Sequence, residues 1–203
     1  MLTFVNKHKK LLLVSSTVIV LVISAFYAIR EAGVWLLVKD PLPDKVDIVF
    51  TFAGERYRVD YSSELMMKYP DAHWVLSDFK DGYYHYIKKR NFDISRVTVI
   101  DTCASTIFEV KSLFSYLEEH RNLYPNGITA GLVSGPYHMR RIQLMVKSRS
   151  RLNNVKFVYL PVPLESYNTS NEMYERWWNY RNISSVVFSE LPKIIYFYLF
   201  DNK

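Results

Sequence analysis

The stretch Val46-Asp-Ile-Val-Phe-Thr-Phe-Ala53, closed by Gly54, decides the fold. It is short, apolar and rich in β-branched residues, and its apolar residues do not alternate with polar ones. Such a run reads as a strand buried on both faces. Strands of that kind belong to parallel sheets covered on both sides by helices.

Working outward, Arg56 to Tyr69 carries Tyr61, Leu65 and Met66 on one side and is ended by Pro70-Asp71, which predicts a helix. His73 to Ser77 (HWVLS) is a second strand, residues 81–90 a helix, and Arg96 to Ile100 (RVTVI) a third strand. Ser105 or Thr106 can cap a helix running to about His120, with Ile107, Val110, Leu113, Phe114 and Leu117 as its apolar face. Pro125-Asn126-Gly127 is a turn, Ile128 to Val133 a fourth strand, and Pro136 to about Ser148 a helix with proline in its permitted first turn. Val155 to Leu160 (VKFVYL) is a fifth strand, stopped by Pro161 and Pro163, and one or two helices follow from about Asn171. Strands alternating with helices predict a three-layer α/β/α, Rossmann-like domain over residues 46–203, with a parallel sheet of about five strands.

Before this domain, Leu11 to Ile29 is nineteen residues without a charge. As a helix it is about 28 Å long, close to the roughly 30 Å of a bilayer core. Lys7, Lys9 and Lys10 precede it, whereas Arg30 and Glu31 cancel after it. The positive-inside rule then predicts residues 1–10 as a cytoplasmic tail, 11–29 as a single-pass signal anchor and 30–45 as a linker to a domain outside the plasma membrane. A cleaved signal peptide is the competing reading, but Phe26 and Tyr27 stand where cleavage wants small residues.

Composition narrows the function classes. Only four of the 26 basic side chains, and none of the 20 acidic ones, lie in residues 1–30, so the formal +6 falls to +2 beyond them. The basic balance reports membrane topology and does not suggest a nucleic-acid surface. One cysteine excludes an intramolecular disulfide, and the five scattered histidines give no zinc spacing, so no metal site is expected. The Gly54 loop lacks Gly-x-Gly-x-x-Gly, and no cofactor is named by the sequence.

In parallel sheets ligands bind beyond the carboxyl ends of the strands. The polar residues just after each strand are therefore candidates: Gly54 and Arg58, Ser77 and Asp78, Thr106 and Glu109, then Ser134, His138 and Arg141. His138 and Arg141, three apart at a helix start, share a face and add cationic donors to free N–H groups, which suits phosphate or carboxylate. Each has a structural alternative. Arg141 can pair with Glu109 or Asp78; Thr106 and Glu109 fit a capping box; Asp78 can hold a ribose hydroxyl or a metal, or cap its strand. Ser134 does not sit in a nucleophile-elbow pattern.

Ser134-Gly-Pro-Tyr-His-Met-Arg-Arg141 resembles the signature of the YdcF-like domain family of unknown function, which includes the SanA and ElyC envelope proteins. Asp47-Ile-Val-Phe with Gly54 and Arg58, Thr106-Ile-Phe-Glu109, and Glu190 with Lys193 and Tyr196 are similar to further family blocks, in order. The chain keeps one glycine where the family has several, and Ser105 and Val110 where it has asparagines. The resemblance implies a role in cell-envelope biogenesis or barrier maintenance. The expected ligand is an anionic, phosphorylated or lipid-linked molecule held by Gly54, Arg58, Ser77, Asp78, Thr106, Ser134 and Arg141. Should chemistry occur, His138 and Glu109 are the expected acid and base, with Glu109 orienting His138. The alternatives are a hydrolase or transferase on a phosphorylated envelope precursor, or a non-catalytic module that uses Tyr174, Trp177, Trp178 and Tyr180 to hold a membrane-protein partner.

Overall fold

A computed structural model describes residues 2–77, 82–89, 92–100, 105–149 and 152–201, with side chains from residue 14 onward. Five strands form one all-parallel sheet: β1 (Ile48–Thr51), β2 (His73–Ser77), β3 (Val97–Ile100), β4 (Ile128–Ser134) and β5 (Val155–Pro161). Their order is β3-β2-β1-β4-β5. The expected Rossmann-like α/β/α architecture is what the chain adopts.

β1 is shorter than its apolar run, yet pairing continues past both ends. Asp47 N donates to Thr129 O, and Phe52 N to Val133 O. The one charge in the run is used locally. The Asp47 carboxylate accepts from Thr129 N at 2.8 Å and pairs with Lys45 at 2.6 Å.

Two cores cover the two faces of the sheet, because both faces are apolar. On one side Val49, Trp74 and Leu76 pack against Val59, Leu65 and Met66 of α2 (Arg56–Lys68) and Ile87 of α3 (Gly82–Lys89). On the other, Ile48, Phe50, Phe52 and Leu132 pack against Val110, Leu113 and Leu117 of α4 (Thr106–His120) and Met139, Ile142 and Val146 of α5 (Met139–Arg149). Short 3-10 turns precede β3, follow α4 and open α5.

A third cluster differs from the sequence expectation. The N-terminal helix α1 runs from Leu2 to Leu36, seven residues past Ile29, so the first part of the expected 30–45 linker is helical. No proline intervenes before Pro41, and the added turns, which include Gly33, have a partner. Ala32 and Leu36 are buried with Tyr174 of α6 (Asn171–Glu175), Trp177, and Ile183, Val187 and Ile194 of α7 (Arg181–Tyr196). Beyond it the chain stays docked. Asp40 N donates to Tyr159 O, and Asp40 Oδ2 accepts from Tyr159 N at 2.8 Å.

α1 is long and apolar enough to cross a membrane. The segment Arg181–Asp201, α7 with its π-helical end, passes the same test of length and composition. Its buried Val187, Glu190, Ile194 and Phe197 tie it to the domain instead.

Candidate functional site

The strand order reverses between β1 and β4, so the loops that follow them leave in opposite directions and open a crevice. Gly54 closes the first loop at φ 150°, a conformation that side chains rarely adopt. Gly135 follows β4. Between them lies the guanidinium of Arg58, from the first turn of α2 and only 4% exposed. A Cβ on Gly54 would fall 2.4 Å from Arg58 Cζ, and one on Gly135 would fall 3.5 Å from Arg58 Nη2. Gly54 is therefore needed where the Arg58 guanidinium is seated, whereas a side chain at Gly135 would meet it at ordinary contact distance.

Arg58 Nη1 donates to the carbonyl of Ala53, and Nη2 lies 2.7 Å from Glu55 Oε2. The other oxygen of Glu55 accepts from the Tyr137 hydroxyl at 2.7 Å. Burial disfavours the ionised Glu55, but the Arg58 charge and the Tyr137 hydrogen bond outweigh it and hold its pKa below the usual range. Burial and the Glu55 charge push Tyr137 well above the normal tyrosine value, so it stays a donor. Tyr167, raised to about 12 by burial and then by Glu55, packs edge-on against Tyr137 with its hydroxyl beside Glu55 and Arg58. Arg58 and Tyr137 thus hold a carboxylate at the switch point of the sheet.

A second cluster adjoins it at the start of α5. Glu190, fully buried on α7, receives Arg141 Nε at 2.8 Å and Lys193 Nζ at 2.8 Å. Its Oε1 also lies 3.1 Å from His138 Nδ1. Arg141 Nη2 approaches the same imidazole nitrogen at 3.3 Å. Burial opposes the Glu190 charge, but His138 and Arg141 together hold it far below the ordinary carboxylate range. Burial lowers the His138 pKa, and Glu190 only partly opposes it, so the imidazole is neutral near pH 7. A neutral imidazole whose Nδ1 proton goes to Glu190 presents Nε2 as an acceptor.

The structural alternative for Arg141 is thus corrected: it pairs with Glu190 and not with Glu109. Glu190 also takes the orienting role expected of Glu109. The capping box is absent too. The cap of α4 is Ser105, without a side-chain bond, and Glu109 Oε1 accepts instead from Ala53 N at 2.7 Å. Burial raises the Glu109 pKa, and the hydrogen bonds from Ala53 N and Ser77, with the charges of Arg58 and Arg141, offset only part of the effect. Glu109 thereby links α4 to the β1 loop.

Ser77 and Ser134 stand level with Phe52, one residue beyond the paired Leu76, Thr51 and Val133. Both side chains are fully buried; the Ser77 hydroxyl faces the Glu109 carboxyl as a donor, and the Ser134 hydroxyl has no partner among the described residues. An unsatisfied buried hydroxyl is costly and uncommon, and that of Ser134 marks a place where a polar guest would gain a bond. Thr106 stands apart, at an apolar groove of about 680 Å³ that ends on Arg141. Asp78 lies outside the described residues.

The crevice thus brings together Gly54, Arg58, Ser134, His138 and Arg141, with Glu109 and Ser77 beside them. Sequence reasoning missed Glu55 and Tyr167. Glu55 was legible as a charge three residues before Arg58 at a helix start. Tyr167 reaches the site from the turn after β5, which no local pattern announces. No grouping of three or more metal-ligating side chains occurs among the described residues. No family model matches the chain, and no curated protein or solved structure is significantly similar to it.

Proposed function

We propose that this is a membrane-anchored protein, YdcF-like in kind, that binds the anionic group of a phosphorylated or lipid-linked ligand at the β1/β4 crevice. Its role on this reading lies in cell-envelope biogenesis or barrier maintenance, with α1 as a single-pass anchor in the plasma membrane. On this reading the lysines before the apolar run favour a cytoplasmic N-terminus and an α/β domain outside.

One observation carries the binding reading. The Glu55 carboxylate is held by Arg58 and Tyr137 at 2.7 Å each, at the sheet position where parallel α/β folds bind ligands. Its side chain is 40% exposed and can swing into solvent without unfolding α2. An incoming phosphate would take over the Arg58 and Tyr137 donors and gain the free hydroxyl of Ser134.

Thermal shift on the full chain in detergent tests this, using inorganic phosphate, an isoprenyl monophosphate, a nucleotide sugar and S-adenosylmethionine. Glu55→Gln removes the competing charge and keeps an acceptor for Tyr137. A larger ligand-induced rise in Tm for Glu55→Gln than for the native chain is expected. No rise in either protein, both being folded, overturns the reading.

The His138–Glu190 contact favours a second reading, a hydrolase or transferase in which His138 acts as general base. Its mark is a His138→Gln variant that binds the phosphate ligand normally and has lost turnover.

A further inference from the structure

α1 meets the domain without a hinge. Trp177 Nε1 donates to the carbonyls of Ile29 and Arg30 at 3.1 and 3.2 Å. Gly33 allows an approach that no larger residue would, since a Cβ there would fall 2.3 Å from Tyr174 O and 2.7 Å from Trp177 Cδ1. Arg140 Nε donates to Trp35 O at 2.7 Å and its guanidinium lies 5.0 Å above the Trp35 ring.

The uncharged run of α1 ends at Ile29, so Trp177 marks the level at which the chain leaves the hydrocarbon. Two large aromatic side chains surround that mark and are left bare. Phe188 is 66% exposed with its ring 5.3 Å from that of Trp177, and Trp178 is 48% exposed at 6.1 Å. Three exposed arginines stand on the elements around that mark, Arg30 of α1 and Arg176 and Arg181 beside Trp177. The ion pairs of the first two, to Glu31 at 3.9 Å and Glu172 at 3.7 Å, are long and solvent-exposed, and so weak. Bare aromatics among arginines, at the end of an apolar helix, are the chemistry of a membrane interface.

We propose that the Arg176–Phe188 segment is a second membrane contact. Trp178 and Phe188 enter the headgroup layer of the bilayer that α1 crosses, and Arg30, Arg176 and Arg181 meet anionic lipid phosphates. The occupant of this surface is the bilayer because its boundary is fixed, within one hydrogen bond, by the helix that crosses it. The inference rests on the reading of α1 as a membrane span, and the test separates the two.

The full chain, with its sole cysteine Cys103 replaced by serine, is given single cysteines by Val20→Cys, Trp178→Cys, Phe188→Cys, Met67→Cys or Leu123→Cys. Each is spin-labelled and reconstituted in phosphatidylethanolamine–phosphatidylglycerol liposomes. All five native side chains are exposed, which preserves the fold. Collisions with oxygen are compared with those of a water-soluble nickel complex. The expected result is several-fold oxygen excess at positions 20, 178 and 188, and nickel excess at 67 and 123. Water-like values at 178 and 188 with a lipid value at 20 overturn the footprint and leave the span. Water-like values at 20 as well overturn both. Shielding of 178 and 188 from both reagents indicates a protein partner and also overturns the footprint.

Discussion

Glu190 and Arg141, 49 residues apart in the chain, form a buried ion pair with Arg141 Nε 2.8 Å from Glu190 Oε2. The carboxylate has no solvent exposure, the guanidinium side chain 11%. Such a pair adds little over an apolar one, but removing one member strands the other. Glu190→Ala is therefore expected to cost about 3–5 kcal/mol in urea unfolding. Lys193→Ala, which removes a half-exposed partner of the same carboxylate, should cost under about 1 kcal/mol. Equal losses would mean that Glu190 is not the hub.

The same cluster sets an acid limit. The His138 pKa is lowered from 6.5 on folding, so the unfolded chain binds the proton more readily. The His138 contribution is then full above about pH 6.5 and falls below it. Glu190, also lowered, adds a loss as pH drops below its ordinary value of 4.5. Urea unfolding from pH 8 to 5 should show falling stability, with a shallower slope in His138→Gln. Some slope will remain from His73, whose pKa burial also lowers.

Glu109 runs in the opposite sense. Its raised pKa favours the protonated form in the folded state, so its contribution is full below pH 4.5 and lost as pH rises through the folded value. Glu109→Gln keeps an acceptor for Ala53 N and removes the buried charge. It should raise Tm at pH 7 and leave it nearly unchanged at pH 4. A lower Tm at pH 7 would show that the ionised carboxylate is needed.

Gly33 is where α1 and α6 touch, so Gly33→Leu should force them apart. Proteolytic cleavage within residues 37–46 of the detergent-solubilised chain is expected to rise several-fold, while far-UV circular dichroism of the α/β domain is preserved. Unchanged cleavage would show that the helix is held without this contact.

The sheet was legible because its signal is local: β1, β2 and β4 are apolar runs closed by turn residues, and each appears within a few residues of its expected position. The helical continuation to Leu36 was not, because Ala32 and Leu36 gain burial only from Tyr174, Trp177 and α7, far along the chain. The same divide runs through the site. His138 and Arg141 announce themselves at a helix start, but their partner Glu190 is identified only once α7 folds back over α5. Thr106 and Glu109 match a capping pattern, and the tertiary bond from Ala53 N wins the carboxylate instead.

The unbroken path from the apolar helix into the domain has a mechanical consequence. A flexible leash would let the crevice take any bearing toward the membrane, whereas α1 works as an axle keyed to its load by Gly33 and Trp177. Each residue of a helix turns the chain by about 100°, so inserting one residue between Ile29 and Ala32 would swing the Glu55 crevice to a different compass point around the helix axis. The azimuth of the crevice is written into the residue count of α1.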